Sequence, residues 1–333
     1  MLIISFTRGA VAEINRNVAE NLKFCGPYLI SDQKTLEQVI TLVDTIVNKQ
    51  HPAQQDFGAD DEDTAALEET SEFDWVVIDT GLDVICGLAM ALGADFINIW
   101  PQFEKVVLKY ATSSESLERS AAVGVLAEVI TGMGEAVTPL TSGFLQVILR
   151  RLTDEEFQTR SNACYAMGRL VEKSSADQEI ISAFPSILEK LDACLPIKEA
   201  RLPDNAAGCL ARMILKHRNN IPTADVLPAI VGVLPLTKDY DENDPVYRMI
   251  CQMCMYRHYP AEDFVTFADD TADKWEDPTI RELTPRLIPV FQAVLTGDSN
   301  QLEDDRRAEL IELVSWINKM QPGAAPWVEH LGQ

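Results

Sequence analysis

The segment PDNAAGCLARMI, residues 203–214, has two counterparts in the chain, RSAAVGVLAEVI (119–130) and RSNACYAMGRLV (160–171). The three align without gaps, at offsets of 41 and 43 residues. In each one, apolar residues occupy positions i, i+3, i+4, i+7 and i+8, which is the spacing of one face of an α-helix. Small residues recur at Ala127, Gly168 and Ala211, where a neighbouring helix can approach closely. The repeat therefore predicts amphipathic helices that stack side by side.

A leucine-rich segment with an early proline precedes each of these helices. We expect the prolines to lie in first turns, where the backbone N–H has no intrahelical partner. They are Pro101, Pro139, Pro185 and Pro228, spaced 38, 46 and 43 residues apart. Two helices in every ~40–47 residues is the period of HEAT repeats. Asp154, six residues before Arg160, fits the aspartate and arginine that HEAT repeats place around this turn.

The helical pattern continues in both directions, at residues 2–24, 32–50, 73–93, 241–258, 279–295 and 306–320. No helix pair buries its own apolar faces, so the pairs must stack. We predict an all-α fold, an α-solenoid of about six to seven HEAT repeats built from antiparallel helix pairs in a right-handed superhelix. Residues 1–50 would be partial N-terminal repeats, 51–72 an acidic disordered loop, 73–320 the main array and 321–333 a C-terminal tail. Because helical sequence begins at Met1 without a polar cap, we expect the C-terminal piece of a longer array.

The charge balance is strongly acidic, with 52 Asp and Glu against 28 Lys and Arg, a formal net charge of −24. This excludes direct nucleic-acid binding and favours basic partners. No apolar run reaches the ~18 residues of a membrane span, so we expect no membrane interaction. Residues 56–72 hold eight acids and no base. They are either a solvated, disordered loop or a flexible acidic arm that captures a basic partner.

Catalytic signals are absent: the chain has no phosphate-binding loop, zinc-protease motif or nucleophile elbow. Cys251, Cys254 and His258 lie at i, i+3 and i+7 of one expected helix. A lone CxxC inside a helix is a weak metal signal, and buried thiols beside a helix-end histidine explain it better. We therefore expect no metal, no cofactor and no enzyme activity. The seven scattered cysteines fit a reducing compartment.

Polar residues on the side of these helices away from the apolar set are candidates for partner binding. Asn162 and Asn205 occupy the same position of successive repeats, and each carboxamide could bond to the backbone of an extended peptide on a concave surface. Tyr165 could hold the stem of a lysine side chain. Acids at the starts of these helices would add negative charge: Glu155, Glu156, Asp204, Asp241 and Glu242. Helix capping alone could also explain each acid.

The segments DNAAGCLARMI (204–214) and DEEFQTRSNACYAMGRLVEKS (154–174) resemble the C-terminal HEAT repeats of importin-β-family nuclear import receptors, most closely the importin-four branch. The resemblance covers residues 73–320 well and 1–50 less well. It implies recognition of lysine-rich localisation signals of histones or ribosomal proteins on the concave face, and shuttling between cytoplasm and nucleus. It carries cargo contacts onto Asn162, Asn205, Asp204, Asp241 and Glu242. Release by Ran-GTP would involve mainly N-terminal repeats of the full-length receptor, outside this chain. The alternative is a HEAT scaffold that docks subunits of a multiprotein complex.

Overall fold

A computed structural model describes residues 2–54, 64–199, 201–254, 277–297 and 301–331. Helices joined by turns and short 3₁₀ segments make up this described part, and no strand occurs in it. The prediction of an all-α fold is therefore confirmed. The chain divides into two compact units, Met1–Ile180 and Ile181–Gln333.

Unit 1 is two layers of helices. Its helices are α1 (Leu2–Leu29), α2 (Gln33–Val47), α3 (Thr64–Leu92), α4 (Trp100–Ala111), α5 (Ser116–Met133), α6 (Thr141–Arg151) and α7 (Phe157–Lys173). Helices α1, α3, α5 and α7 pack side by side, and we call them the B layer. Helices α2, α4 and α6 form the A layer, and each packs on the B helix that follows it in the chain.

Unit 2 repeats this alternation. Helix α8 (Asp177–Cys194) begins in unit 1 and ends in unit 2. The others are α9 (Leu202–His217), α10 (Thr223–Val233), α11 (Asn243–Cys254), α12 (Pro278–Thr296) and α13 (Asp304–Met320). Helices α9, α11 and α13 pack in sequence, and α10 packs on α12. In chain order, α1 is followed within the described residues by six further pairs of consecutive helices, from α2–α3 to α12–α13, which agrees with the expected number of repeats.

The apolar residues that define the repeat form the core. Every member of the three aligned sets is at most 4% exposed, from Ala122 in α5 to Ile214 in α9. The B helices approach closely, because a Cβ at Gly132 of α5 would lie 2.6 Å from the backbone of Ala89 in α3. The periodicity thus correctly predicted which face of each helix is buried.

Asp154 joins neighbouring repeats and also contacts the start of α7. Its carboxylate accepts two hydrogen bonds from Arg119 of α5, both at 2.9 Å, and one from Arg151 at 2.6 Å. Burial acts to raise the pKa of Asp154, but the bonds from Arg119 and the Glu156 backbone N–H outweigh it and lower the pKa.

The prolines occupy more varied positions than the sequence suggests. Pro101 lies in the first turn of α4, as expected, and Pro139 lies in a 3₁₀ segment just before α6. Pro185 and Pro228, in contrast, are inside α8 and α10. Both helices begin earlier than expected, at Asp177 and at Thr223, and apolar residues ahead of each proline, such as Ile180 and Leu227, are buried. Each proline removes one backbone hydrogen bond inside its helix.

The acidic segment and the chain end also differ from expectation. The loop expected over 51–72 contains a short 3₁₀ segment at Pro52–Gln54, and α3 already begins at Thr64. Residues 64–72 are rich in Ala, Leu and Glu, which favour helix, and they extend α3. Residues 55–63 lie outside the described part. In the tail, Pro326–His330 form a 3₁₀ turn that packs on α13.

Candidate partner-binding face

The 41-residue offset places equivalent residues of α3, α5 and α7 side by side in the B layer. Asp83, Gly124 and Tyr165 share one position of the repeat, four residues before Gly87, Glu128 and Arg169. The accessible side chains of this register are exposed or half-buried. We call this surface the B face and define it by Asp79, Asp83, Gly124, Glu128, Asn162, Tyr165 and Arg169.

Asn162 lies on the B face but is held against the neighbouring helix. Its Nδ2 donates to the backbone oxygen of Ser120 in α5 at 2.9 Å and lies 3.3 Å from the Ser120 hydroxyl. Its Oδ1 accepts from Gln158 Nε2 at 3.0 Å. An amide oxygen accepts two hydrogen bonds, so Oδ1 can still bind a donor from a partner. Asn162 therefore both joins two repeats and offers a polar contact.

Tyr165 is half-buried beside an arginine that is already engaged. The Arg169 guanidinium lies 6.0 Å from the Tyr165 ring centre, donates to Thr131 Oγ1 at 2.8 Å and pairs with Glu172 at 2.7 Å. Glu172 therefore partly offsets the positive charge of Arg169, and it also pairs with Lys173 at 3.0 Å. The exposed part of the Tyr165 ring gives the B face its aromatic contact.

Glu155 and Glu156 stand at the start of α7 in different roles. Glu156 is the N-cap residue, and its carboxylate accepts weakly from the Gln158 backbone N–H at 3.4 Å. The Glu155 side chain is 86% exposed and lies 3.2 Å from Arg119 Nη2. Capping explains Glu156, while Glu155 presents a carboxylate oxygen to solvent.

Asp204 is buried, which contradicts its expected role at the surface. It is 2% exposed, and its Oδ2 accepts the backbone N–H groups of Thr237, Lys238 and Asp239 at 3.1, 2.7 and 2.8 Å. A carboxylate that receives three N–H donors fixes the path of that segment. Asp204 therefore holds the α10–α11 connection against α9 and is not available to a partner.

Asn205 and Glu242 are also buried, which contradicts their expected roles at the surface. Asn205 is 4% exposed and Glu242 is 1% exposed. The Glu242 carboxylate accepts from both terminal nitrogens of Arg212, at 2.5 and 3.0 Å, and lies where a Cβ of Gly208 would be. This buried ion pair closes the polar side of α9. We call residues 237–242 the strap, because they cover that side of the helix.

Asp241 remains exposed on the strap, at the edge of an acidic group. Burial raises the pKa of the adjacent Asp239, and the charges of Asp241 and Asp204 raise it further, whereas Arg201 at 3.5 Å acts in the opposite direction. A cation near Asp241 would relieve this repulsion. Of the eight sequence candidates, Asn162, Tyr165, Glu155, Glu156 and Asp241 can be reached by a partner.

Three carboxylates of the B face were missed by the sequence reasoning, namely Asp79, Asp83 and Glu128. Burial raises the pKa of Asp79 and of Asp83, and the charge of Asp83 raises that of Asp79 further. Two cations of α1 oppose this: Lys23 and Arg16 act to lower the pKa of Asp83, and Arg16 acts to lower that of Asp79. The signal was available, because Asp83 and Glu128 lie at the repeat positions of Tyr165 and Arg169.

The remaining chemical signals describe a protein core. Cys251 and Cys254 are buried in α11, where burial raises the pKa of both thiols, and His258 lies outside the described residues. Within the described ranges, no group of three or more His, Cys, Asp or Glu side chains could hold a metal ion. By length and composition alone, Trp75–Asn98 and Ser116–Arg151 could span a membrane. Their apolar windows are 61% and 50% buried here, as in core helices of a solenoid.

Comparisons with known proteins agree with this architecture. The family model described as "IPO5-like, TPR repeats" matches residues 80–217. The "Probable importin subunit beta-4" of Schizosaccharomyces pombe is 36% identical over 279 residues, covering 82% of this chain and 24% of the relative. Human Importin-4 is 25% identical over 301 residues, covering 90% of this chain and 25% of the relative. The chain thus spans about a quarter of the length of these relatives.

Solved structures show the same fold. The karyopherin Kap121p bound to the SUMO protease Ulp1p has a TM-score of 0.63 at 12% identity, covering 95% of this chain and 28% of that one. Kap121p bound to Pho4p has a TM-score of 0.56 at 12% identity, with coverage of 96% and 33%. At such identity these structures support the fold alone. The importin relatives and the matching family model show that the chain belongs to the importin-β family, as an importin-4-like array of HEAT repeats.

Proposed function

We propose that this chain is a cargo-binding part of a nuclear transport receptor, in which the B face of unit 1 binds an extended, lysine-rich segment. The observation that carries the proposal is the unpaired acidity of this face. Asp79, Asp83 and Glu128 form no ion pair with any residue that the structure describes, and Asn162 and Tyr165 lie in the same register. Helix pairs that stack without gaps leave this row of side chains as an elongated surface.

Magnitudes limit how the acids contribute. An exposed ion pair supplies ~0.2–1 kcal/mol, whereas a micromolar complex needs ~8 kcal/mol. Three carboxylates alone are therefore too weak. Hydrogen bonds from the peptide backbone to Asn162 would add ~0.5–1.5 kcal/mol each, and lysine stems would pack on Tyr165. Acidic charge would chiefly speed the encounter with a basic segment.

The proposed cargo class is argued from this chemistry alone. Histone tails and basic segments of ribosomal proteins supply closely spaced lysines in extended chain, and either would fit an acidic, carboxamide-bearing row. Ran-GTP would act through the full-length receptor, mainly through repeats outside this chain. Movement between cytoplasm and nucleus would follow from that cycle. The chain itself would perform no catalysis.

Fluorescence anisotropy of a labelled, lysine-rich histone-tail peptide tests the proposal on the full chain. We expect micromolar binding that weakens steeply as salt rises, because exposed charges are screened. The same peptide with glutamine in place of lysine should bind at least ~10-fold more weakly, a difference of ~1.4 kcal/mol.

Matched double variants place the binding on the B face. Asp79→Asn with Asp83→Asn should weaken binding by about 3- to 10-fold. Asp192→Asn with Asp225→Asn removes two exposed acids from α8 and α10 and should change the affinity less than about 1.5-fold. Equal losses for the two pairs would mean that net charge, and not the B face, attracts the peptide.

A further inference from the structure

We propose that Gly124 and Glu128 of α5 form a slot for one cationic side chain, a lysine or arginine of the segment bound to the B face. The inference rests on the proposed function and assigns one contact within it. Its basis is a comparison inside the molecule: α9 carries a filled version of the same slot with the opposite charge.

The filled version is the ion pair on α9. Gly208 has no side chain, and the Glu242 carboxylate occupies the space that a Cβ would take. Four residues later, Arg212 binds that carboxylate through both terminal nitrogens, at 2.5 and 3.0 Å. In this repeat, a glycine followed four residues later by a charged residue therefore forms a site for one side chain of opposite charge. In α9 that side chain comes from the strap of the same chain.

The equivalent positions of α5 are Gly124 and Glu128, which align with Gly208 and Arg212. Here the fixed charge is a carboxylate, so the counter-charge must be a cation. A Cβ at Gly124 would meet only Asn162 Nδ2, at 3.5 Å, so the space above the glycine is open. Glu128 is half-buried and forms no hydrogen bond or ion pair within the described part of the chain.

The neighbouring B helices lack this space. At the position of Gly124, α3 has the side chain of Asp83 and α7 has the ring of Tyr165. Of these three helices, only α5 has a glycine at this position followed four residues later by an unpaired acid. Asn162 forms one wall of the slot, and Tyr165 lies on the adjoining helix, where its exposed ring can contact the methylene groups of a lysine. The slot therefore selects one cation, whereas the rest of the B face responds to net charge.

Charge removal at the slot is the first test. The probe is a labelled twenty-residue glycine–serine peptide that carries three lysines, measured by anisotropy against the full chain. Glu128→Gln should weaken binding by about 3-fold, and Gly124→Met, which fills the slot, by about 5-fold. Glu104→Gln is the control, because Glu104 is also half-buried and lies on α4 of the other layer. It should change binding less than about 1.5-fold.

Charge reversal is the second test and copies the α9 pair. Glu128→Arg should weaken binding of the three-lysine peptide by about 10-fold. In three further peptides, a different one of the three lysines is replaced by glutamate. One of these peptides should bind Glu128→Arg better than it binds the unaltered chain. Gly124→Ala, whose Cβ makes only an ordinary contact, verifies that a change at this position leaves the fold intact.

The outcomes separate the two proposals. If the unaltered chain does not bind the three-lysine peptide, the proposed function fails for this segment and the slot fails with it. If it binds, but Glu128→Gln behaves like Glu104→Gln and no glutamate peptide prefers Glu128→Arg, the slot is wrong and the proposed function stands. If Glu128→Gln weakens binding more than Glu104→Gln does, and one glutamate peptide prefers Glu128→Arg, both proposals are supported.

Discussion

The polar sides of α7 and α9 have equivalent residues, but they are partly accessible in α7 and buried in α9. Asn162 and Arg169 of α7 are half-buried on the B face, whereas the equivalent Asn205 and Arg212 of α9 are at most 6% exposed. The difference follows from the residue four positions before the arginine. Tyr165 fills that position in α7, but Gly208 leaves room in α9 for Glu242 and hence for the strap. A glycine at this position therefore permits the internal ion pair, but the strap is also required, since α5 has Gly124 there and its surface stays accessible.

The largest difference between α9 and α7 is expected in the free energy of unfolding when the acid that pairs with each arginine is replaced. Glu242→Ala leaves Arg212 charged and buried, which typically costs ~3–5 kcal/mol in the free energy of unfolding. Glu172→Ala makes the same chemical change beside Arg169, but Glu172 is 36% exposed and Arg169 keeps its bond to Thr131. That loss should stay below ~1 kcal/mol.

Urea unfolding measures the free energy of unfolding of both variants. Amide hydrogen exchange in α9 and in α7 then shows where each variant loses protection. Loss of protection should be confined to unit 2 for Glu242→Ala. Similar losses for the two variants would contradict the distinction between a surface pair and an internal pair.

Alanine at the two equivalent glycines, Gly208 and Gly124, should change the free energy of unfolding in opposite directions. At Gly208 the new Cβ would overlap Glu242 Oε2, so Gly208→Ala should destabilise unit 2 by ~1–3 kcal/mol. At Gly124 the Cβ would lie 3.5 Å from Asn162 Nδ2, an ordinary contact. Alanine is the better helix former, so Gly124→Ala should stabilise unit 1 by up to ~1 kcal/mol.

The midpoint of thermal unfolding distinguishes these cases directly. A stabilising Gly208→Ala would show that the strap can leave α9 without cost. A strongly destabilising Gly124→Ala would show that the slot above Gly124 is not open.

The smallest effect is expected at Asn162. Asn162→Ala removes the bond to the Ser120 backbone oxygen and should cost ~0.5–1.5 kcal/mol, because one end of the bond is partly exposed. Gln158→Ala removes only the bond to Asn162 Oδ1 at an exposed side chain and serves as the control, at less than ~0.5 kcal/mol. Urea unfolding of the full chain measures both, and equal effects would remove Asn162 as a link between α5 and α7.

The candidate site was only partly predictable. Asn162 and Tyr165 were identified from their register opposite the apolar set, and both are accessible. Asn205 was identified by the same rule, and Asp204 and Glu242 were identified as acids at helix starts, but all three are buried. Helix periodicity describes one helix and its core side, but it contains no information about a connection that folds over the other side. The acids of the B face, Asp79, Asp83 and Glu128, lie within helices and not at the helix starts where acids were expected, and where capping also favours them.

By itself, the sequence determined the helices, their period and the face that each one buries. This is possible because apolar spacing acts locally, and an amphipathic helix that cannot bury its own face must stack. Only the tertiary structure decided which polar residues face solvent. That outcome depends on the path of residues 237–242, which three N–H bonds to Asp204 and the Arg212–Glu242 pair hold on α9 across about thirty residues of chain. A burial that depends on such distant partners leaves no periodic trace in the sequence.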